Sequence, residues 1–155
     1  MEVTVEEARL ADPVQAKALV EIIDAYAREA GGQAAPLTET ARSALIPGLM
    51  SHPNALVLLA FVSGDPVGTA VCIWGFSTFA GKRLINIHDL AVLPDFRGRG
   101  VGRALLAEVE RRARERDCCR ITLEVNDAND GAKRLYEATG FGPWDRPTWF
   151  VTKPL

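Results

Sequence analysis

The stretch Asp95-Phe96-Arg97-Gly98-Arg99-Gly100-Val101-Gly102-Arg103-Ala104 places three glycines and three arginines where an apolar strand gives way to an amphipathic helix. Glycines at 98, 100 and 102 carry no Cβ, so the backbone can turn sharply and approach a ligand closely. The first amides of a helix lack internal acceptors and carry the positive end of its dipole. Such a loop favours an anion, and a pyrophosphate is large enough to use several amides at once. Arg97, Arg99 and Arg103 add positive charge at the same place. Two nucleotide-binding patterns are absent: there is no G-x-x-x-x-G-K-S/T, and Arg103 stands where G-x-G-x-x-G needs its third glycine. A turn with incidental glycines is the alternative that the loop alone leaves open.

The surrounding elements must hold that loop in place. Val3 and Val5 read as a short first strand, and Asp12-Pro13 as the cap and first residue of a helix. Val14, Ala18, Leu19, Ile22, Ile23 and Tyr26 share one face of that helix, which Gly31-Gly32 ends. Residues 38–50 read as a second helix, interrupted by Pro47. Ala55–Val62 and Val67–Phe76 are strands joined by a turn at Ser63-Gly64-Asp65-Pro66, and Leu84–Leu93 completes a meander. A helix over 101–117, a strand over 120–125, a short helix over 130–139 stopped by Gly140, and a closing strand over 148–153 follow. The expected fold class is α+β (α/β): one domain over residues 1–155, its central mixed, mostly antiparallel sheet covered by helices on both faces.

Three elements in order carry a resemblance. Arg97-x-x-Gly100-x-Gly102 resembles the Q/R-x-x-G-x-G/A motif of the GNAT superfamily of N-acetyltransferases. Asp89-Leu90-Ala91-Val92-Leu93-Pro94 is similar to that family's fourth strand. Asn129 with Ala132-Lys133-Arg134-Leu135-Tyr136-Glu137-Ala138-Thr139-Gly140-Phe141 is similar to its closing N…A…LY…GF element. The resemblance covers residues 84–142, and residues 75–92 are also similar to the diamine and polyamine acetyltransferase branch.

The resemblance implies a GNAT-type acyl-CoA N-acyltransferase fold and acetyl-CoA as cosubstrate, with no metal. It places the pyrophosphate on amides of Arg97, Gly98, Arg99, Gly100, Val101, Gly102 and Arg103. It pairs the pantetheine arm with Leu90, Ala91 and Val92, in a slot opened where the strand over 120–125 splays away. Asn129 matches the residue that holds the pantetheine, and Tyr136 the tyrosine near the thioester sulfur. A thiol titrates near ~8.5 and tyrosine near ~10, so Tyr136 can protonate the departing thiolate; the alternative is a core aromatic. An acceptor amine with a pKa of ~10.4 costs roughly 4–5 kcal/mol to deprotonate at pH 7, so a base is needed. The family frequently has a glutamate at or near Asn86 or His88, and this chain does not. Histidine is the side chain suited to proton transfer near neutral pH, so His88 is the candidate base, with a hydrogen-bonded core histidine as the alternative. Strict alternation puts Asn86, His88 and Leu90 on one strand face and Ile87, Asp89 and Ala91 on the other. Asp89 orients the surroundings of His88 or binds a cationic substrate, or is structural. Trp74 and Phe76 are candidates for the substrate entrance, and Tyr26, Glu29 and residues 31–54 for its walls.

The expected reaction is acetyl transfer to a primary amine of a small molecule: a polyamine or diamine, an amino acid or an antibiotic amine. Acceptors on protein N-termini or lysines, and a coenzyme A sensor without turnover, are the alternatives; a homodimer is a family expectation only.

Composition narrows the rest. A formal net charge of −2 argues against a dedicated nucleic-acid or anionic-membrane binder. Arg111, Arg112, Arg114 and Arg116 alternate with Glu108, Glu110, Glu115 and Asp117, which reads as a solvated helix face. Cys72, Cys118 and Cys119 fit no C-x-x-C or zinc spacing and read as small buried thiols of a cytoplasmic protein. Trp144 and Trp149 read as core or groove-wall aromatics. The longest apolar run, Ala55–Val62, is eight residues, too short to cross a bilayer.

Overall fold

The computed structural model describes residues 1–155. Five strands, β1 (Val3–Glu7), β2 (Ala55–Val62), β3 (Asp65–Ser77), β4 (Lys82–Val92) and β5 (Ile121–Leu123), form one sheet in sequence order. The first four pair antiparallel and β5 runs parallel to β4. The helices are α1 (Pro13–Ala27), α2 (Glu39–Ser51), α3 (Val101–Glu115) and α4 (Asp130–Ala138). No helix is long and apolar enough to cross a membrane.

β2 explains the layering. Its unbroken apolar run has to bury both faces, and it does. Leu56, Leu58, Ala60 and Val62 join Val101, Leu105, Leu106, Val109 and Ala113 of α3. Val57 and Leu59 join Leu19, Ile22 and Ile23 of α1 on the other side. Fully buried side chains of this size are worth about 1.5–3 kcal/mol each, so these two clusters clamp the sheet between α3 and α1.

Local signals account for most boundaries. Asp12 accepts from the Val14 amide at 2.9 Å with Pro13 opening α1, as expected. The β2–β3 connection is tighter than the expected four-residue turn. Val62 pairs with Asp65, and Ser63 and Gly64 both have positive φ, the signature of a two-residue hairpin.

Four expectations are corrected. α2 runs through Pro47. A helix-interior proline costs about 3 kcal/mol, and Leu45, Ile46 and Leu49, packed against the α1 cluster, offset it. Residues 148–153 form no strand, and Trp149 and Phe150 are exposed. The alternation there spans only six residues between Pro147 and Pro154, which leaves few donors for a ladder. Trp144 is exposed as well, so neither tail tryptophan belongs to the core. Of the cysteines only Cys72 is buried; Cys118 is half-buried and Cys119 exposed, because the chain leaves α3 at the surface.

Most of the basic run of α3 is paired with carboxylates of the same helix. Glu108 takes Arg111 at 2.7 Å and Arg112 at 2.8 Å, and Arg112 also reaches Glu7 of β1 at 2.6 Å. Hydrogen bonding from Arg111, then from Arg112, holds the Glu108 carboxyl down to about 2. A depressed carboxyl contributes stability above its unfolded value and loses it as pH falls through the folded one. Glu108→Gln should therefore lower the unfolding free energy by about 1 kcal/mol at neutral pH, and the difference from wild type should close as pH falls from about 4.5 toward 2. Urea unfolding across that range checks it; a gap that persists at the acid end would contradict the ion-pair origin.

Candidate active site

The chain leaves β4 through a single 3-10 turn, Pro94–Phe96, and enters α3 through Gly100, whose φ is 87°. That left-handed cap turns the first amides of α3 outward. The first intrahelical bond is donated by the Ala104 amide to the Gly100 carbonyl at 2.9 Å, so the amides before it have no helical acceptor. Gly102 serves a different purpose. A Cβ there would sit 2.9 Å from Leu135 Cδ2, so its absence lets α3 approach α4.

A cleft of about 620 Å³ opens over this turn. One wall is Leu90, Ala91 and Val92 of β4, and the floor is Arg97, Gly98, Gly100, Gly102 and Arg103. Asn129, Leu135 and Tyr136 with their α4 neighbours form the opposite wall, and Tyr26 and Glu29 close the third side. β5 makes the slot possible. Its last pair with β4 is Leu123 with Ile87, whereas β4 continues to Val92, so β4 has a free backbone edge beyond Ile87.

Most residues implied for the coenzyme thus meet in one cleft, with two qualifications. Val101 is 1% exposed in the core, so only its backbone is available. Arg99 lies over the Phe96 ring at 5.8 Å and does not line the cleft. Asn129 doubles as the N-cap of α4, its side-chain oxygen accepting from the Ala132 amide at 3.1 Å.

A bulge reorders β4. Val71 faces Asp89 but the next residue, Cys72, faces Ile87, so His88 is the extra residue. The expected strict alternation therefore breaks. Ile87 and Leu90 pack toward α3, while Ala91 belongs with Val71 to the α1 cluster. His88 is exposed and Asp89 half-buried, and neither lines the cleft. Burial raises the Asp89 carboxyl above its usual range, and the charge of His88 opposes that shift.

Two tyrosines meet at this end of the cleft. Tyr136 is 6% exposed and its ring lies 5.6 Å from that of Phe141. Burial first, and Tyr26 second, push its hydroxyl up to about 12. Tyr26 donates to the Gly31 carbonyl at 3.2 Å. Burial, then the charges of Asp89 and Glu29, raise its hydroxyl as well.

Trp74 and Phe76 do not reach the cleft. Trp74 pairs with Ile85 and packs on the α3 side, with Arg116 over its ring at 4.2 Å, and Phe76 is 63% exposed. The strand alternation carries them away from the α1 side. Phe96 and Arg134 line the cleft and were not anticipated; Arg134 precedes Leu135 and Tyr136 on α4, a spacing that gave no signal of its own.

The profile of the Acetyltransferase (GNAT) family matches residues 16–141. The chain belongs to that family of acetyltransferases. Solved structures agree in fold. A ribosomal-protein-alanine N-acetyltransferase from Brucella melitensis biovar Abortus 2308 is 22% identical with a TM-score of 0.77, over 98% of this chain and 100% of that one. An aminoglycoside acetyltransferase from an uncultured soil metagenomic sample, in complex with sisomicin, is 17% identical with a TM-score of 0.81, over 99% and 97%. A possible acetyltransferase from Clostridium difficile 630 is 15% identical with a TM-score of 0.81, over the whole of both chains.

Proposed function

We propose that this chain transfers the acetyl group of acetyl-CoA to a primary amine of a small molecule by direct attack, without a covalent enzyme intermediate. The observation that carries the reading is the left-handed Gly100 cap, which turns the free amides of α3 into a cleft bordered by the free edge of β4. A diphosphate fits that turn: the loop offers amides, Arg97 and Arg103, and no Cβ at Gly98 or Gly100. Acetyl-CoA supplies a thioester already activated for acyl transfer.

The chain's own groups divide the remaining work. Backbone amides around Leu90–Val92 stabilise charge on the carbonyl oxygen, being fixed in a strand before the reaction begins. Tyr136 donates its proton to the departing sulfur. Asp89, next to Leu90 of the cleft wall, takes the proton of the attacking amine through an intervening water. Its carboxyl, raised by burial, is a better base than an ordinary carboxylate. His88, adjacent and exposed, passes that proton to solvent. Two of the neighbours named above are a ribosomal-protein-alanine N-acetyltransferase and an aminoglycoside acetyltransferase. A small acceptor is favoured here by the contacts that close the α1 side of the cleft, where Gly31 lies beside Asn129 and Glu29 bridges to Arg97.

Calorimetry with coenzyme A, followed by thiol release from acetyl-CoA with an amine panel, tests the reading. Coenzyme A binding without turnover of any amine would favour a sensor. Asp89→Asn is expected to lower kcat about 100-fold. Because Asp89 must be deprotonated to act, the wild-type rate rises with pH through its elevated value, and the mutant loses that limb. A mutant that keeps both rate and pH profile removes Asp89 from the role.

A further inference from the structure

One ion pair spans the cleft. Arg97, in the anion-binding loop, reaches Glu29, just beyond the end of α1, at 2.5 Å. The same guanidinium donates through Nε to the Val92 carbonyl at 2.9 Å. Nε therefore anchors Arg97 to β4 while Nη2 holds Glu29. The segment carrying Glu29 is fastened at both ends: Tyr26 holds the Gly31 carbonyl, and Asp24 accepts from the Leu37 amide at 2.8 Å. Glu29 consequently stays at the cleft whether or not Arg97 stays with it.

Arg97 has two possible anionic partners. Glu29 offers one carboxylate in a half-exposed pair, a contact worth little in water. A diphosphate in the Gly98–Gly100 turn offers more charge and several oxygens, which a guanidinium matches better. When Arg97 turns to the diphosphate, Glu29 is left as a carboxylate facing the cleft without its cation. The charges of Asp89 and Glu29 both act on Tyr26. The reacting amine must be neutral to attack, so it is not the natural partner of a carboxylate that gains from a full positive charge. A second cation on the acceptor is.

We propose that Glu29 is the acceptor-recognition residue, that it binds a second cationic group of the amine substrate, and that it becomes available when Arg97 turns to the coenzyme diphosphate. The inference rests on the acetyl-CoA reading above and adds to it an ordered binding sequence and a class of acceptor, amines carrying two or more positive charges.

The test compares wild type with Glu29→Gln, using coenzyme A, 1,4-diaminobutane and butylamine as probes. Calorimetry is expected to give coenzyme A binding tighter by about two- to fivefold in the variant, since Arg97 no longer has a competing partner. The KM for diaminobutane should rise about tenfold, the loss expected for one charge-assisted contact, while the KM for butylamine should move only as far as the change in coenzyme A binding carries it. Arg97→Gln should weaken coenzyme A binding and let diaminobutane bind without it. Glu29→Asp, which keeps the charge, should restore part of the diamine preference. Unchanged or weaker coenzyme A binding by Glu29→Gln overturns the exchange, and equal effects on the two amines overturn the recognition role. Wild type that fails to bind coenzyme A at all would overturn the acetyltransferase reading as well. Wild type that binds and acetylates, beside a Glu29→Gln variant that changes nothing, overturns this inference alone.

Discussion

Tyr136→Phe is expected to lower kcat for acetyl transfer by about 100-fold or more, the usual contribution of a positioned general acid, with coenzyme A affinity and melting temperature close to wild type. The hydroxyl is the only group removed. The ring keeps its place in the core and its contact with Phe141. No buried side-chain polar atom lacks a partner, so the Tyr136 hydroxyl, which bonds to no protein group, opens to the cleft. Its loss therefore costs little packing. The raised value of about 12 fixes the sign of the pH effect. The hydroxyl stays protonated, and competent as an acid, through the range where an ordinary tyrosine near ~10 begins to ionise. The wild-type rate should accordingly lose this contribution only as pH approaches about 12. Stopped assays of thiol release, run beside calorimetry, separate this from a binding defect. A mutant with wild-type kcat would leave Tyr136 as a core aromatic.

Gly100→Val has the second large effect, and on a different quantity. At a φ of 87° a side chain is strained by roughly 1–2 kcal/mol, and a β-branched one most of all. A Cβ at this position meets no protein atom within 4 Å, so the added methyls project into the open space over the turn. Loss of one or two charge-assisted amide contacts predicts coenzyme A affinity lower by about 100-fold, with a much smaller fall in melting temperature. Gly102→Ala is the control. Its Cβ meets only the flexible tip of Leu135, at 2.9 Å, so the cost should fall on α3–α4 packing before binding. Comparable coenzyme A affinity in Gly100→Val and wild type would mean that the Gly100 turn does not hold the diphosphate.

The strand–glycine turn–helix arrangement was legible because each part is a local signal. Apolar runs make strands, Asp12-Pro13 starts a helix, and glycines mark where backbone must turn outward. The loop glycines stood out by their spacing, whereas Asn129 and Tyr136 were picked out only by the family resemblance, and all of them line or border one cleft. The sequence by itself therefore determined the five strands of the sheet, its helical layers and the glycine-turn side of the cleft, but not the absence of a strand over 148–153. Only the tertiary structure decided the side of the cleft formed by α1 and the β4 bulge. The bulge at His88 shifts the parity of β4, moving His88 out and Asp89 into a half-buried position where its charge acts on Tyr26, and no periodicity reveals an extra residue opposite Val71 and Cys72. The pairing of Glu29 with Arg97 joins residues 68 apart in the chain. Local propensity carries no information about a contact of that range, because it exists only once both faces of β2 have been buried and α1 and α3 are fixed on opposite sides of the sheet.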